Sequence, residues 1–266
     1  MNKKLKIIFD YTFLFIESIL LFLLTLLLVL NFTILKSDYV IEKMNKSNYY
    51  SILEESIKTE MLYYTGQSGF NDDILDGTFT VDEIKEESIS YVKNLYNGKK
   101  TVIDTSKFEE RLNKKIDDYL EVKNFEIINK EEINKFTTEM AKIYSKRIKI
   151  IDKLDNLAVK FNKIIDMSNK VLIILTISLF IVFMIHMILL KKIKIGIVLY
   201  TTSLLIIVLN IYIRCRIDLY HLHIYNELLS NIIIDNIGSI LKITILIAIL
   251  YFVLATLINI CKKKSH

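Results

Sequence analysis

Residues 171–190 read VLIILTISLFIVFMIHMILL, a run in which His186 is the only ionisable side chain. About 20 helical residues are needed to cross the hydrocarbon core of a bilayer, which is about 30 Å thick. Three more apolar windows of similar length occur, at residues 11–35, 195–213 and 240–260. The sequence therefore predicts an all-α integral membrane protein with four transmembrane helices.

The charged residues are concentrated between the first two of these windows. Hydrophobic residues make up 52% of the chain and charged residues 24%, a mixture that requires the two classes to be segregated. Residues 36–169 hold 22 Lys plus Arg and 25 Asp plus Glu, so this stretch is nearly neutral. We expect it to form a water-exposed helical domain inserted between transmembrane helices 1 and 2, with no affinity for nucleic acid.

The lysines beside the apolar windows predict the orientation. They precede the first window, join the second to the third and follow the fourth, at positions 3, 4, 6, 191, 192, 194 and 262–264. Short Lys-rich flanks stay in the cytoplasm, so residues 1–10, the 191–194 loop and the 261–266 tail are predicted to be cytoplasmic. Residues 36–169 and 214–239 then lie outside, and the protein is multi-pass in the cell membrane.

The first apolar window resembles a secretory signal but is expected to be retained. It is longer than the roughly 7–15 apolar residues of a cleaved signal, and Asn31 to Leu35 offer no small-residue cleavage site. In this topology Cys215 and Cys261 lie on opposite faces of the membrane, so they are not expected to form a disulfide with each other.

Glycines and capping patterns divide the inserted domain into helices. One helix is expected to begin near Ser47 and to end at Gly66. Capping boxes are predicted where Thr80 precedes Glu83 and where Ser106 precedes Glu109, and Asn97-Gly98 is expected to end the helix that starts at Thr80.

The last helix of the domain begins near Asn129, and no Gly or Pro interrupts it before Val171. A continuous helix over 130–190 would be about 90 Å long. Such a rod could transmit a change from the outer domain through the membrane, or the chain could simply lack a breaker. A bend near Ser168-Asn169 is the alternative.

Catalytic chemistry is poorly supported in the inserted domain. Residues 36–169 contain neither His nor Cys, which removes the usual general base, thiol nucleophile and soft metal ligands. The segment 66–69 lacks the spacing of a hydrolase nucleophile elbow, and the segment 71–77 lacks that of an EF-hand. Both segments are interpreted as turns, and no cofactor and no metal is predicted.

His221 and His223 are the weak catalytic candidates. They lie in the outer segment 214–239, near Asp218, Glu227 and Asp235. On a strand the two histidines would share one face and could share a metal. The apolar residues from Leu222 to Ile237 favour instead an amphipathic helix on the membrane, on which the two histidines diverge.

Glu17 and His186 are the ionisable residues expected deepest in the membrane. At 1.5 Å per residue they lie about 10 Å and about 7 Å from the inner ends of their windows. Ionisable groups at such depth usually have partners or a function. One hypothesis is a structural Glu17–His186 pair within the membrane, and the alternative is that each side chain reaches separately towards the inner surface.

Two family resemblances complete the sequence evidence. One anchor span, an outer domain of over a hundred residues and three closely spaced spans resemble, in topology alone, the lipoprotein intramolecular transacylase family of Gram-positive bacteria. This resemblance implies acyl transfer with histidines at the outer face, where only His221 or His223 could serve. A second resemblance is carried by Gln67-Ser68-Gly69, Asp73-Ile74-Leu75, Phe79-Thr80, Leu95-Tyr96-Asn97 and Ile103-Asp104-Thr105-Ser106. In these segments the chain resembles uncharacterised four-span membrane proteins of low-GC Gram-positive bacteria, which imply no activity.

The missing catalytic groups favour a non-enzymatic envelope protein. We expect an interaction or sensor-like function through the outer domain, with the lipid bilayer and either an envelope protein or a second copy of the chain as partners. The alternative is a membrane-embedded acyl-transfer enzyme that uses the His221/His223 region. No transmembrane window carries a row of carboxylates or a Pro break, which disfavours a transporter.

Overall fold

A computed structural model of the chain describes residues 3–123, 130–149, 157–190, 194–216 and 227–264. Over these residues the chain is α-helical, with one short 3-10 helix, and contains no strand. It divides into two compact units. Residues 1–36 and 164–266 form the membrane unit, and residues 37–163 form the inserted unit.

The membrane unit contains four helices that are long and apolar enough to cross a bilayer, as predicted. They are α1 (Lys3–Phe32), α7 (Leu157–Leu190), α8 (Ile195–Arg216) and α9 (Glu227–Lys264). With 34 and 38 residues, α7 and α9 are about 51 and 57 Å long, well beyond the hydrocarbon core. The first residues of α7, 157–163, belong to the inserted unit.

Contacts between side chains define the directions of the four helices. Helix α9 is antiparallel to α8, since Tyr200 bonds to Thr256 and Asn210 to Thr244. Helix α7 is antiparallel to α1, because Asn31 bonds to Ser168 near one end and Glu17 bonds to His186 near the other. Helices α1 and α8 are parallel. The Lys-bearing helix ends therefore meet at one end of the unit, and the residues concerned are Lys4, Lys6, Lys194 and Lys262.

Helices α1, α8 and α9 pack closely, whereas α7 is mostly exposed. Ala248 and Ala255 are fully buried, and Ser203 donates a hydrogen bond to the Ala248 carbonyl oxygen at 2.8 Å. Small and hydroxyl-bearing residues of this kind let helices approach each other in membranes. On α7, only 6% of the most apolar 18-residue window is buried.

The inserted unit is a bundle of short helices around its own apolar core. Its helices are α2 (Ser37–Lys46), α3 (Tyr49–Ser68), α4 (Val81–Tyr96), α5 (Ser106–Lys123) and α6 (Lys130–Ile148), with a 3-10 helix at Asp72–Leu75. The core contains aliphatic residues from every helix and a packed aromatic group. The largest fully buried side chains of this unit are Met44, Leu53, Ile57, Met61, Ile84, Leu112, Ile116, Met140 and Ile148.

The observed helix boundaries confirm some of the predicted helix caps and contradict others. The Thr80–Glu83 capping box is present, and α4 ends at Tyr96 before Gly98, whose φ is +69°. The predicted end of α3 at Gly66 is wrong: α3 continues to Ser68, and Gly69 provides the left-handed cap at φ +80°. Gly66 has ordinary helical geometry with open space around it, so it does not stop the helix.

The start of α5 also differs from the prediction. The backbone amide and the hydroxyl of Ser106 both donate to Asp104 Oδ1, and the Glu109 carboxylate accepts from the Thr105 hydroxyl. The predicted Ser106–Glu109 pairing is thus replaced by a cap built from the two preceding side chains. Asx-type local bonds of this kind compete with a capping box one residue later.

Two predictions about long helices have different outcomes. Continuity from 130 to 190 lies outside the described residues, because 150–156 separate the described ends of α6 and α7. In the outer segment, residues 227–239 are the first turns of α9 and do not form a separate helix before the fourth span. Gly238 lies inside α9, where a single glycine costs only about 1 kcal/mol of helix stability.

Candidate functional site: a charged cluster within the membrane unit

Glu17 and His186 are in direct contact inside the membrane unit. His186 Nδ1 lies 2.8 Å from Glu17 Oε1, and both side chains are essentially inaccessible. Phe13, one turn before Glu17 on α1, stacks on the imidazole with ring centroids 5.3 Å apart and an interplanar angle of 16°. The stacked ring and the carboxylate together determine the orientation of the histidine.

Asp10 and Lys194 extend this contact towards the Lys-bearing end. His186 Nε2 lies 3.2 Å from Asp10 Oδ1, and Lys194 Nζ donates to Asp10 Oδ2 at 2.6 Å. Exposure increases along the series, from fully buried His186 through Asp10, whose side chain is 18% exposed, to Lys194 at 42%. The four residues form a continuous polar path, here called the charged cluster, that runs from this end of the unit to Glu17.

Each ring nitrogen of His186 faces a carboxylate oxygen, Nδ1 that of Glu17 and Nε2 that of Asp10. Lys194 donates to the other oxygen of Asp10 and balances its charge. The three side chains of α1 and α7 are therefore joined by hydrogen bonds and tied to the start of α8.

Glu17 also has an unsatisfied atom. Its Oε2 is buried and, among the described residues, has no hydrogen-bond partner. A buried polar group without a partner costs about 1–3 kcal/mol, and the hydrocarbon core supplies no water to relieve it. Glu17 lines a cavity of about 360 Å³ between α1, α7 and α8, and the other described residues that line it are apolar apart from Thr176.

Sequence reasoning brought together Glu17 and His186 but missed Asp10, Phe13 and Lys194. Asp10 lies just outside the first apolar window, 11–35, and Lys194 lies in the predicted cytoplasmic loop, 191–194. A signal was nevertheless present, because Asp10 and Glu17 are seven residues apart and therefore share one side of α1.

The inserted unit has a small pocket with acidic walls and a floor of aromatic side chains. The floor consists of Phe79, Phe108 and Tyr144, and the rings of Phe108 and Tyr144 are parallel at 5.2 Å. Around it lie Glu83, Glu86, Glu87, Asp104 and Lys107. Burial raises the pKa of Glu87, and neighbouring Asp104 and Glu86 raise it further. The pocket volume is only about 70 Å³.

The remaining candidates add no second site. His221 and His223 lie outside the described residues. The acidic segment 71–77 forms the 3-10 helix with buried Ile74 and Leu75, and Asp76 pairs with Lys58 at 2.9 Å. Within the part of the chain that the structure describes, no group of three or more His, Cys, Asp or Glu side chains is placed to hold a metal ion.

No family model, curated protein or solved structure matches this chain. Any functional conclusion therefore depends on the residues themselves. Two features of the described structure are candidates for a functional role. They are the charged cluster beside the cavity in the membrane unit, and the exposed surface of the inserted unit.

Two large side chains are exposed on one side of α3. Ile52 and Tyr63 are eleven residues apart, which places them on the same side of the helix about 16 Å from each other. Tyr63 is 68% exposed and contacts Tyr64 edge to face with centroids 5.7 Å apart. The opposite side of α3 packs into the core through Leu53 and Ile57.

Proposed function

We propose that this protein is a non-enzymatic, sensor-like protein of the bacterial cell membrane whose inserted unit binds a protein partner outside the cytoplasm. The observation that carries the proposal is the exposed side of α3 with Ile52 and Tyr63, beside which Tyr64 packs edge to face on Tyr63. Tyrosines are enriched in protein interfaces and often contribute much of the binding energy. The unit has a complete core of its own, so these residues are not needed for its internal packing.

The charged groups of the inserted unit support a binding role over a catalytic one. Several of them form ion pairs between elements: Arg111 with Glu83, Arg147 with Glu60, and Lys58 with Asp76. Such pairs stabilise the bundle, and the unit's sequence supplies no histidine or cysteine to act as base or nucleophile. The alternative, acyl transfer through His221 and His223, concerns residues outside the described ranges.

The arrangement of lysines supports the orientation. Lys4, Lys6, Lys194 and Lys262 lie at the same end of the membrane unit, and positive charge beside membrane helices favours the cytoplasmic side. Both the amino-terminal and the carboxyl-terminal residues are then cytoplasmic. The inserted unit, which follows α1, is on the other side, where it meets components of the envelope.

Photo-crosslinking in intact cells tests the proposal. Benzoylphenylalanine is placed at position 63, and, as a control, at Val122 of α5, which at 82% is even more exposed than Tyr63 at 68%. We expect a discrete crosslinked protein from position 63 and not from 122. The additional change Ile52→Asp should reduce that product at least about tenfold, since a charge replaces apolar contact on the same side.

The mass of the product identifies the partner class. A product of twice the mass of the chain identifies a second copy, and any other discrete product identifies an envelope protein. Equal products from positions 63 and 122, or a product that Ile52→Asp leaves unchanged, would contradict the assignment of α3 as the binding surface.

A further inference from the structure

Among its described residues, helix α7 buries side chains at two places. Ser168 is buried at one, and His186 and Leu190, one turn apart, are buried at the other. Ser168 and His186 are separated by 18 residues, about 27 Å along the helix. Every residue from 169 to 185 is described, and each is half-buried or exposed. Helix α8, by contrast, has six buried residues spread from 196 to 210.

The contacts at His186 hold one end of the membrane-spanning part of α7 firmly. The two ring nitrogens of His186 bond to Glu17 and Asp10 of α1, and the Phe13 ring stacks on the imidazole. Hydrogen bonds with an ionised partner are roughly twice as strong as neutral ones. After four further residues the chain enters α8, which keeps this end of α7 close to α8. We call it the firmly held end.

The contact at Ser168 is weaker. Asn31 of α1 donates from Nδ2 to Ser168 Oγ at 2.8 Å, and both side chains are neutral. Asn31 also donates to the Leu27 carbonyl oxygen of its own helix, and it can keep that bond without α7. Interhelical hydrogen bonds contribute little in membranes, because the separated groups find other partners. We call this the weakly held end.

Between the two ends α7 is not closely packed against α1 and α8. The cavity of about 360 Å³ lies in this gap, with Leu179 and Phe183 of α7 on one side and Leu21 of α1 and Val198 of α8 on the other. Helices in membranes are held together by close packing and hydrogen bonds, since lipid is as apolar as their side chains. The gap removes most of the first contribution for α7.

The weakly held end is also the one that continues from the inserted unit. Residues 157–163 of α7 belong to that unit, where the Phe161 ring contacts Tyr96 with centroids 4.7 Å apart. The Asn162 side chain lies against Gly98 there. Helix α7 is continuous from these residues to the charged cluster. A change in the inserted unit would therefore act first on the weakly held end.

We propose that α7 pivots about the charged cluster, so that its weakly held end leaves α1 and returns while its firmly held end stays in place. The unequal contacts at the two ends carry this inference. Such a pivot would let the inserted unit pass a change to the membrane unit, a role that rests on the sensor-like function proposed above. The motion can be measured without a partner, so its test is independent of the crosslinking at position 63.

Distances between pairs of spin labels test the proposal. The full chain, with both native cysteines replaced by serine, is reconstituted in phosphatidylethanolamine–phosphatidylglycerol nanodiscs, and each pair is introduced as two cysteines. Phe32→Cys with Met167→Cys reports the weakly held end. Ile8→Cys with Ile188→Cys reports the firmly held end, and all four positions are exposed. Double electron–electron resonance should show a broader distribution, extending to longer distances, for the first pair than for the second.

One substitution should shift this distribution, and a matched control should not. Asn31→Leu removes the bond to Ser168, so it should raise the ratio of longer to shorter distances in the first pair. The expected change is about threefold, which is what an interhelical hydrogen bond of average strength in membranes produces. The second pair should not change. Thr25→Val is the control, because Thr25 likewise bonds to its own helix and to one neighbour, here Tyr251 of α9, and it should alter neither pair.

Three results would overturn the proposal. The first is a distribution for the first pair that Asn31→Leu leaves unchanged. The second is an equal change in both pairs, because α7 would then separate as a whole and would not pivot. The third is an equal effect of Thr25→Val. Ser168→Ala removes the same bond from the α7 side and should act as Asn31→Leu does, so the test remains decisive if Asn31→Leu fails to fold.

Discussion

Arg111 of α5 donates to both carboxylate oxygens of Glu83 on α4, to Oε1 at 2.6 Å and to Oε2 at 2.8 Å. The same carboxylate accepts from the Thr80 backbone amide at 3.1 Å and so completes the capping box of α4. The Glu83 side chain thus caps the start of α4 and also joins α4 to α5. This bidentate arrangement, and the hydrogen bonds from Thr80, lower the pKa of Glu83.

We expect Glu83→Gln to weaken α4 at neutral pH. The side chains of Arg111 and Glu83 are 40% and 27% exposed, so solvent screens the pair, and the expected loss is about 1 kcal/mol in the free energy of opening of α4. Because the folded pKa is lowered, the stabilisation is present above the unfolded pKa of about 4.3 and is lost as pH falls through the folded pKa. Hydrogen–deuterium exchange of the full chain in micelles measures it, and equal α4 protection in both proteins at neutral pH would contradict the prediction.

Glu87, one turn further along α4, should respond with the opposite sign. Burial raises its pKa, so the folded state disfavours its charged form. The resulting destabilisation is present above the raised folded pKa and is relieved as pH falls towards the unfolded value. Glu87→Gln should therefore stabilise α4 by a few tenths of a kcal/mol at neutral pH, since the group is only partly buried and solvent screens it. A loss of α4 protection in Glu87→Gln equal to that in Glu83→Gln would contradict this prediction.

Two glycines in the inserted unit should differ in their response to alanine. Gly98 has φ +69°, and a Cβ there would come within 3.1 Å of the Asn162 side chain, so Gly98→Ala should cost about 1–2 kcal/mol. Gly66 has ordinary helical geometry and open space, so Gly66→Ala should stabilise α3 by about 0.5 kcal/mol. Hydrogen exchange at the end of each helix measures both effects, and each variant is the control for the other.

The Glu17–His186 contact should give a non-additive double-mutant cycle. His186→Leu leaves Glu17 and Asp10 without their shared partner, and Glu17→Leu leaves Nδ1 of His186 unpaired. The double change removes both groups, so it should be less destabilising than the sum of the single changes by about 1–3 kcal/mol. Thermal unfolding of the full chain in detergent micelles measures the coupling. Additive effects would indicate that the two side chains act separately.

The native cysteines report the orientation of the membrane unit. Cys215 near the end of α8 and Cys261 near the end of α9 are both exposed, and the antiparallel packing of these helices places them at opposite ends. A membrane-impermeant maleimide should label Cys215 in intact cells and Cys261 only after permeabilisation. The variants Cys261→Ser and Cys215→Ser isolate each thiol. The reverse pattern would place the inserted unit in the cytoplasm.

The sequence by itself determined the features that depend on neighbouring residues. The four apolar runs predicted the four long helices, because crossing hydrocarbon requires an uninterrupted apolar stretch. Thr80 and Glu83 predicted the start of α4, since a capping box is made within one helical turn. Gly98 predicted its end for a similar reason, because the positive φ of the cap is a property of a single residue.

Only the tertiary structure decided which distant side chains meet. Asp10 and Lys194 join Glu17 and His186 because of the relative register of α1, α7 and α8, which no local pattern encodes. Gly69 and not Gly66 caps α3, and both glycines suit such a cap, so the sequence pattern did not distinguish them. The pairing of Arg111 with Glu83 and the gap between α1, α7 and α8 likewise follow from packing across large sequence separations, where many small contacts are optimised together.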